Sequence, residues 1–303
     1  MLFRSQGVYN LQLQRWIFRQ AFGRFIRPFN RFRRLEISAT VANLAQSTLN
    51  QITQYDPTGF PIGSYDSISS GASKVFAIPS IALVYDNSIF GYTSPFLGHR
   101  YRFEIGQAIG GLRYTQALLD YRQYTMIGLP FFTFATRITA SGRAGPDEAI
   151  FPSFIGTPDK VRGYTYGSYV NNECSANLAS GGGTLSDGCR GLNQLIGTRM
   201  VVARAEIRFP LLRSGAFGFL PFALPPIEGA FFFDAGLSWQ NGSTVQWTRN
   251  PNDPDNVRAP ISSYGAAVRI NLFGYAILNI DYAIPRNRPG QHGYWILSLN
   301  PPF

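Results

Sequence analysis

Hydrophobic and polar side chains alternate along much of the chain. In residues 201–209 (VVARAEIRF) every odd position is apolar, and Arg204, Glu206 and Arg208 occupy even positions. Residues 228–239, 264–271 and 275–284 alternate in the same way. Successive side chains of a β-strand point to opposite faces. The pattern therefore predicts strands with one apolar and one polar face.

Weaker alternation predicts further strands and brings the number to about eleven. These segments are 11–20, 33–45, 74–86, 99–108, 112–125, 130–141 and a last strand over 292–303. Most have about nine to twelve residues, more than the five or six that are usual in soluble sheets. Their length is close to the ~9–11 residues that cross a bilayer at a tilt.

The predicted connections differ in length. Residues 110–111 (GG) and 273–274 (FG) predict tight turns, whereas 46–73, 142–197 and 240–261 predict long loops. Short turns on one rim and long loops on the other are typical of outer-membrane barrels. The basic segment 13–34 is open to a second interpretation, an amphipathic surface helix. Because Pro28 limits a helix there, we favour a strand followed by a turn.

Composition favours a membrane barrel over a soluble β-sandwich. Only 15% of the residues are charged, against about 25% in soluble domains. A soluble sandwich would place Lys and Glu on its polar faces, but here those faces favour Arg, Asn, Gln and Ser, and Lys occurs only at positions 74 and 160. No segment approaches the ~18 apolar residues of a membrane helix. We expect an all-β, antiparallel transmembrane β-barrel.

The net charge of +10 raises the possibility of nucleic-acid binding. The arginines, however, are spread over alternating strands, and the one basic block is RFRR at 31–34. Arginines that point into a polar lumen explain the same charge. We therefore expect no nucleic-acid partner.

The sequence offers little for catalysis or cofactor binding. His292 lies in a predicted turn and His99 at the junction of a predicted loop and strand, GxSxG does not occur, and GGG at 181–183 is not followed by GK[ST]. Cys174 and Cys189 have no His near them, which argues against a metal site. They predict a disulfide worth about 3 kcal/mol in an oxidising compartment, with two unpaired thiols as the alternative. We expect neither enzyme activity, nor a cofactor, nor a metal.

Several motifs occur together and in order: VRGY at 161–164, AEIRFPL at 205–211, FFFDAG at 231–236 and a terminal Phe303. This set resembles the bacterial surface antigen family, the barrel domain of BamA- and TamA-like outer-membrane proteins. The resemblance covers most of the chain and is strongest from about residue 95 to 303. Residues 92–106 and 119–124 resemble members in which the barrel follows a periplasmic β-propeller instead of transport-associated repeats.

The resemblance implies that the long loop 142–197 folds into the barrel lumen. Arg162 would then pair with Asp234 on the wall, and Glu206 would be a second inward acid. Both acids lie on predicted polar faces, and an arginine fork can bind two carboxylates at once. From the residues alone, an exposed loop arginine with two unrelated lumen acids remains the alternative. The motif neighbours of Arg162 are Val161, Gly163 and Tyr164.

The end of the chain resembles the C-terminal signal strand of outer-membrane proteins. Phe303 closes it, behind period-two apolar positions at Trp295, Leu297 and Leu299. Family barrels have sixteen strands, so we expect residues 1–303 to be the C-terminal part of such a barrel, about 11–12 strands, with an incomplete N-terminal side. The N-terminus shows no signal peptide. A periplasmic domain is expected to be encoded upstream.

The implied function is assembly of outer-membrane proteins, or polypeptide translocation, by lateral opening of the barrel seam. The expected location is the bacterial outer membrane, and the expected partners are its lipid and unfolded outer-membrane proteins as clients. The alternative is a passive pore or a surface-exposed adhesin or antigen. Neither would require the pairing of Arg162 with Asp234.

Overall fold

The structure is a computed structural model that describes residues 7–71, 73–128, 132–169, 190–212, 225–248, 257–288 and 292–300. These residues contain three helical turns, Glu148–Ile150, Tyr166–Ser168 and Arg190–Asn193. The strands in the described ranges are β1 (Gly7–Pro28), β2 (Arg33–Tyr55), β3 (Pro61–Ser70), β4 (Lys74–Asp86), β5 (Ile89–Phe90), β6 (Pro95–Gly110), β7 (Tyr114–Met126), β8 (Thr133–Ala144), β9 (Ser153–Phe154), β10 (Ile196–Gly197), β11 (Arg199–Leu212), β12 (Ile227–Trp239), β13 (Thr244–Val245), β14 (Val257–Arg258), β15 (Ile261–Leu272), β16 (Ala276–Pro285) and β17 (Tyr294–Asn300).

Thirteen of these strands form one sheet. Its main path runs β1-β2-β4-β6-β7-β8-β11-β12-β15-β16-β17, while β3 pairs with β2 and β5 with β6. Neighbours on the path are antiparallel. The eleven strands of the path correspond one to one to the eleven predicted segments. The predicted all-β antiparallel fold is confirmed.

No helix among the described residues has the length and apolar character needed to span a membrane.

The two faces of the sheet differ as predicted. On β12, Phe231 and Phe233 are 61% and 44% exposed, whereas Phe232 and Asp234 between and beside them are buried. On β11, Ile207 is exposed and Glu206 is buried. Apolar side chains therefore point outward and polar ones inward, the reverse of a water-soluble sheet and the arrangement expected when lipid surrounds the strands.

One predicted loop is wrong. Residues 46–73 were expected to connect two strands without structure of their own, but β2 continues to Tyr55 and pairs with β3 (Pro61–Ser70). The connection shrinks to a turn in which the Asp56 carboxylate accepts hydrogen bonds from the backbone of Thr58 and Phe60. This part of the sheet is rich in Ser, Thr, Asn and Gln. It therefore lacks the apolar alternation that marks a half-buried strand.

The N-terminal basic segment is a strand and not a helix. β1 continues to Pro28, further than the predicted 11–20, and is paired along its whole length with β2. Proline at the end of β1 stops the strand because it has no backbone N–H to donate.

Alternate connections of the antiparallel path lie on opposite rims. One rim carries the turns 29–32, 87–94 and 273–275; we call it the short-turn rim. At its tightest turn, Phe273 and Gly274 both have positive φ, 54° and 83°. The opposite rim carries the segment 145–198 between β8 and β11, and we call it the loop rim.

Candidate functional site

The segment between β8 and β11 turns back into the concave side of the sheet. We call its described residues, 145–169 and 190–198, the lumen loop. β9 and β10 pair at its base, and the Val161 N–H donates to the carbonyl of Ile155 at 3.1 Å. A tight turn thus brings the VRGY motif back beside the strand pair.

Apolar side chains fix the lumen loop to the wall. Val161 and Tyr164 are fully buried and belong to one cluster with Ile155, and with Val202 and Ile261 of the wall. The Tyr164 hydroxyl donates to the carbonyl of Ser262 at 2.9 Å. Burial raises the pKa of Tyr164 to about 12, so the phenol is neutral and keeps its donor proton at ordinary pH.

Arg162 is 1% exposed and is surrounded by carboxylates. Its Nε and Nη2 donate to the two oxygens of Asp234 at 2.7 and 2.8 Å, in a bidentate pair. Nη2 also donates to Glu206 at 3.0 Å, and Nη1 donates to Asp281 at 3.4 Å. Burial by itself would lower the pKa of Arg162, but the charges of Asp234, Glu206 and Asp281, together with the hydrogen bond to Asp234, outweigh burial and raise that pKa above its usual range. The guanidinium is therefore a permanent cation.

An aromatic ring packs against this guanidinium, and a glycine leaves space for the ring. The guanidinium carbon of Arg162 lies 3.4 Å from the ring centre of Phe232, at cation–π distance. Beside that ring, a Cβ on Gly265 would lie 1.9 Å from the carbonyl oxygen of Tyr282 and 2.8 Å from Phe232. Only glycine leaves room for the ring to lie flat beneath the arginine.

Gly265→Ala is expected to lower the free energy of unfolding by about 2 kcal/mol, because overpacking moves the backbone of β16 or the Phe232 ring. The urea midpoint of the chain in vesicles measures the change. Gly23→Ala on β1 is the matched control, since a Cβ there meets nothing within 4 Å. Equal midpoints for the two variants would show that the close approach at Gly265 is unimportant.

Further arginines extend the network towards the short-turn rim. Glu206 accepts from Arg269 at 2.7 Å and from Arg208 at 2.8 Å, and Arg269 also donates to Glu228 at 2.9 Å. The hydroxyls of Thr93 and Ser94 donate to Glu228 at 2.8 and 2.7 Å. These two residues belong to the 87–94 turn. A continuous set of charge-assisted hydrogen bonds therefore joins the lumen loop to the opposite rim.

The lumen loop also contacts the last strand of the path. The Tyr294 hydroxyl on β17 lies 2.9 Å from the Thr165 hydroxyl and accepts from the Thr165 N–H at 3.1 Å. It also donates to the Ser168 hydroxyl at 3.0 Å. Arg288, in the connection before β17, donates to the carbonyl of Gly163 at 3.0 Å. At Gly163 itself φ is +89°, a conformation that other residues rarely adopt.

A cavity of about 470 Å³ lies between the lumen loop and the 87–94 turn. Its lining includes Arg162 and Asp159 from the loop, Phe90 and Thr93 from the turn, and Asp281 from the wall. Charged and apolar side chains both line the cavity, and the lumen loop and the 87–94 turn lie on either side of it. This arrangement can hold a loop in place or release it.

The other residues singled out in the sequence lie elsewhere. Trp295, Leu297 and Leu299 are exposed on the outward face of β17. His99 stacks on Tyr85, with ring centres 4.8 Å apart. Among the described residues, no group of three His, Cys, Asp or Glu side chains could hold a metal ion. The terminal Phe303 and both cysteines, Cys174 and Cys189, lie outside the described residues.

Sequence reasoning missed several contributors to the site, among them Asp281, Arg269, Arg288 and Tyr294. Asp281 and Arg269 carry a signal, because both lie on the polar face of an alternating strand. Nothing in that pattern says that their strands meet at Arg162. Arg288 and Tyr294 lie in or beside a connection and have no such signal.

The comparisons with known proteins agree with this architecture. No protein in the curated set matches the chain. Among solved structures, the chain is similar to BamA from Haemophilus ducreyi, crystallised without its POTRA domains 1–3, with a TM-score of 0.52 and 13% sequence identity. The match covers 97% of this chain and 62% of that one, so the chain spans less than two thirds of the matched protein. The likeness establishes a shared barrel fold.

A family model adds sequence information to the shared fold. The model of the Omp85 superfamily domain matches residues 8–294, nearly the whole chain. The predicted resemblance to BamA- and TamA-like barrels is confirmed, and the chain belongs to the Omp85 superfamily.

Proposed function

We propose that the chain is the membrane-spanning barrel region of a bacterial outer-membrane protein that inserts or translocates other polypeptides. Its outward apolar face contacts lipid, and its inward polar face holds the lumen loop. In this proposal the protein acts by changing its conformation, and it neither makes nor breaks covalent bonds nor uses a cofactor. Unfolded outer-membrane proteins are the proposed clients.

The observation that carries this proposal is the set of strands held by the lumen loop. Arg162 bonds to Glu206 on β11, Asp234 on β12 and Asp281 on β16. Tyr164 bonds to β15, and Thr165 bonds to Tyr294 on β17. The loop thus contacts five consecutive strands, up to the end of the described path. Docking of the loop is therefore coupled to the position of β17.

Strand β17 is suited to exchange partners. Within the described residues it is the last strand of the sheet, and it is paired with β16 from Tyr294 to Asn300. A strand at the end of a sheet presents unpaired N–H and C=O groups that can bind an incoming strand. Movement of the loop away from Tyr294 would loosen β17 and open that edge to a client.

A passive pore is the competing function. The lumen loop and the 87–94 turn both enter the interior, and a buried arginine with three carboxylates holds the loop there. A pore gains nothing from this arrangement, because it narrows the path for ions.

Reconstitution into vesicles tests the proposal. Vesicles that contain the chain are expected to accelerate folding of a urea-unfolded outer-membrane barrel over empty vesicles. Tyr294→Phe, which removes the bonds to Thr165 and Ser168, is expected to change that acceleration while the chain stays folded. Tyr275→Phe, at a tyrosine 87% exposed in a turn, is the matched control. Ion conductance without any acceleration would support the passive pore and overturn the proposal.

A further inference from the structure

The turn between β1 and β2 carries an unusual group of exposed arginines. Arg27, Arg31 and Arg33 are exposed there, beside the exposed rings of Phe29 and Phe32. We call these five residues the basic turn. In the described parts of the chain, no carboxylate forms an ion pair with any of its three arginines, although the inward-facing Arg24, Arg34 and Arg102 all pair with Glu36.

The basic turn adjoins a band of aromatic rings on the short-turn rim. Phe32 contacts Tyr85 at 6.1 Å between ring centres, and Tyr85 stacks on Tyr101 at 5.4 Å. Arg33 is the register partner of Tyr85, so their side chains share one face of the sheet. That face also carries the exposed Ile37. The arginines therefore lie on the lipid-facing side.

The aromatic band fixes the depth of these arginines in the membrane. Rings of Tyr and Trp gather where strands of a membrane barrel cross from hydrocarbon to head groups. An arginine at that depth meets lipid phosphates. Its planar fork binds phosphate oxygens through two parallel hydrogen bonds, and a guanidinium is weakly hydrated and stays charged.

We propose that the basic turn is a binding site for anionic phospholipid head groups, in the leaflet that contacts the short-turn rim. Unlike the lumen arginines, those of the basic turn form no ion pair with a carboxylate in the part of the chain that the structure describes. A lipid phosphodiester supplies the missing negative charge. Phe29 and Phe32 supply apolar surface beside the acyl chains.

Native mass spectrometry of the whole chain tests this site. The chain is folded into vesicles of phosphatidylethanolamine and phosphatidylglycerol, extracted with mild detergent, and its retained lipids are counted. Wild type is expected to retain phosphatidylglycerol in preference to phosphatidylethanolamine. Arg31→Gln with Arg33→Gln is expected to reduce that preference on the order of tenfold. The matched control is Arg15→Gln with Arg19→Gln, two exposed arginines on the same outward face, with Arg19 about 26 Å along the strand from Arg27.

Three results would overturn the proposal: no preference in wild type, an undiminished preference in the variant, or equal losses in variant and control. The last would mean that any exposed arginine on this outward face attracts the lipid. Folding is checked by the heat-dependent shift of the chain in gel electrophoresis. If the variant does not fold, wild type is compared at about 0.01 M and about 1 M salt, where the screening length falls from about 30 to about 3 Å. A preference for phosphatidylglycerol that is the same at both salt concentrations would contradict an ionic contact with the head group.

Discussion

Arg162→Glu is expected to release the lumen loop and to lower the free energy of unfolding by at least about 3–5 kcal/mol, the range for breaking a buried ion pair. The new carboxylate would face Asp234, Glu206 and Asp281 in a space where Arg162 is 1% exposed. Four acids would then repel one another without a central cation. The urea midpoint of the folded barrel in vesicles reports the loss. Protease cleavage after Lys160, whose ammonium donates to the carbonyl of Phe154 in the docked loop, reports loop release.

Charge reversal on the wall distinguishes this pair from a general effect of the substitution. Asp234→Arg added to Arg162→Glu restores opposite charges across the same contact and is expected to recover part of the stability. Full recovery is not expected, because Arg204 also bonds to Asp234, at 3.3 Å. Arg113→Glu, at an exposed arginine on the loop rim, is the control for lost positive charge. If the double variant were no more stable than Arg162→Glu alone, the proposed pairing of residues 162 and 234 would be contradicted.

Gly156→Ala is expected to undock the lumen loop with every charge intact. A Cβ at this position would lie 2.1 Å from the carbonyl oxygen of Tyr164 and 2.7 Å from the ring of Phe154. Because one of these atoms is backbone, the two arms of the VRGY turn must separate. We expect overpacking to lower the free energy of unfolding by about 1–3 kcal/mol. The loss is larger if the hydrogen bonds of Arg162 also lengthen. Proteolysis at Lys160 and the urea midpoint measure both effects.

Gly167→Ala provides the comparison within the same loop. A Cβ at Gly167 meets nothing within 4 Å, and its backbone is not in the left-handed region. This variant should match wild type or be slightly more stable, because alanine restricts the unfolded chain. If both variants behaved alike, close backbone approach at Gly156 would not be what holds the motif in place.

Most of the fold could be predicted because its main signal is local. In residues 201–209 and 275–284, apolar and polar side chains alternate with a period of two, and the structure has β11 and β16 there. The prediction failed where this signal is absent. In β3 and the second half of β2, polar residues occupy both faces, and pairing between long neighbouring strands, instead of burial of an apolar face, keeps the chain extended.

The site was predictable only in part. The alternation places Asp234 and Glu206 on inward faces, and the resemblance named Arg162 as their partner. Asp281 has the same alternation signal, but 119 residues separate it from Arg162. Its part in the site depends on how the strands are ordered and curved around the interior. That information is not carried by the period of any single strand.

By itself, the sequence determined the strands that alternate and which of their side chains face lipid, because successive side chains of a strand point to opposite faces and the bilayer favours the apolar set. Tertiary structure alone decided which inward charges meet. Arg162 reaches Asp234, Glu206 and Asp281 because a loop enters the interior where β11, β12 and β16 converge. A charge-assisted hydrogen bond forms only when donor and acceptor lie about 2.7–2.9 Å apart, and a shift of one register step turns every side chain of a strand to the other face, so such a shift would give other partners.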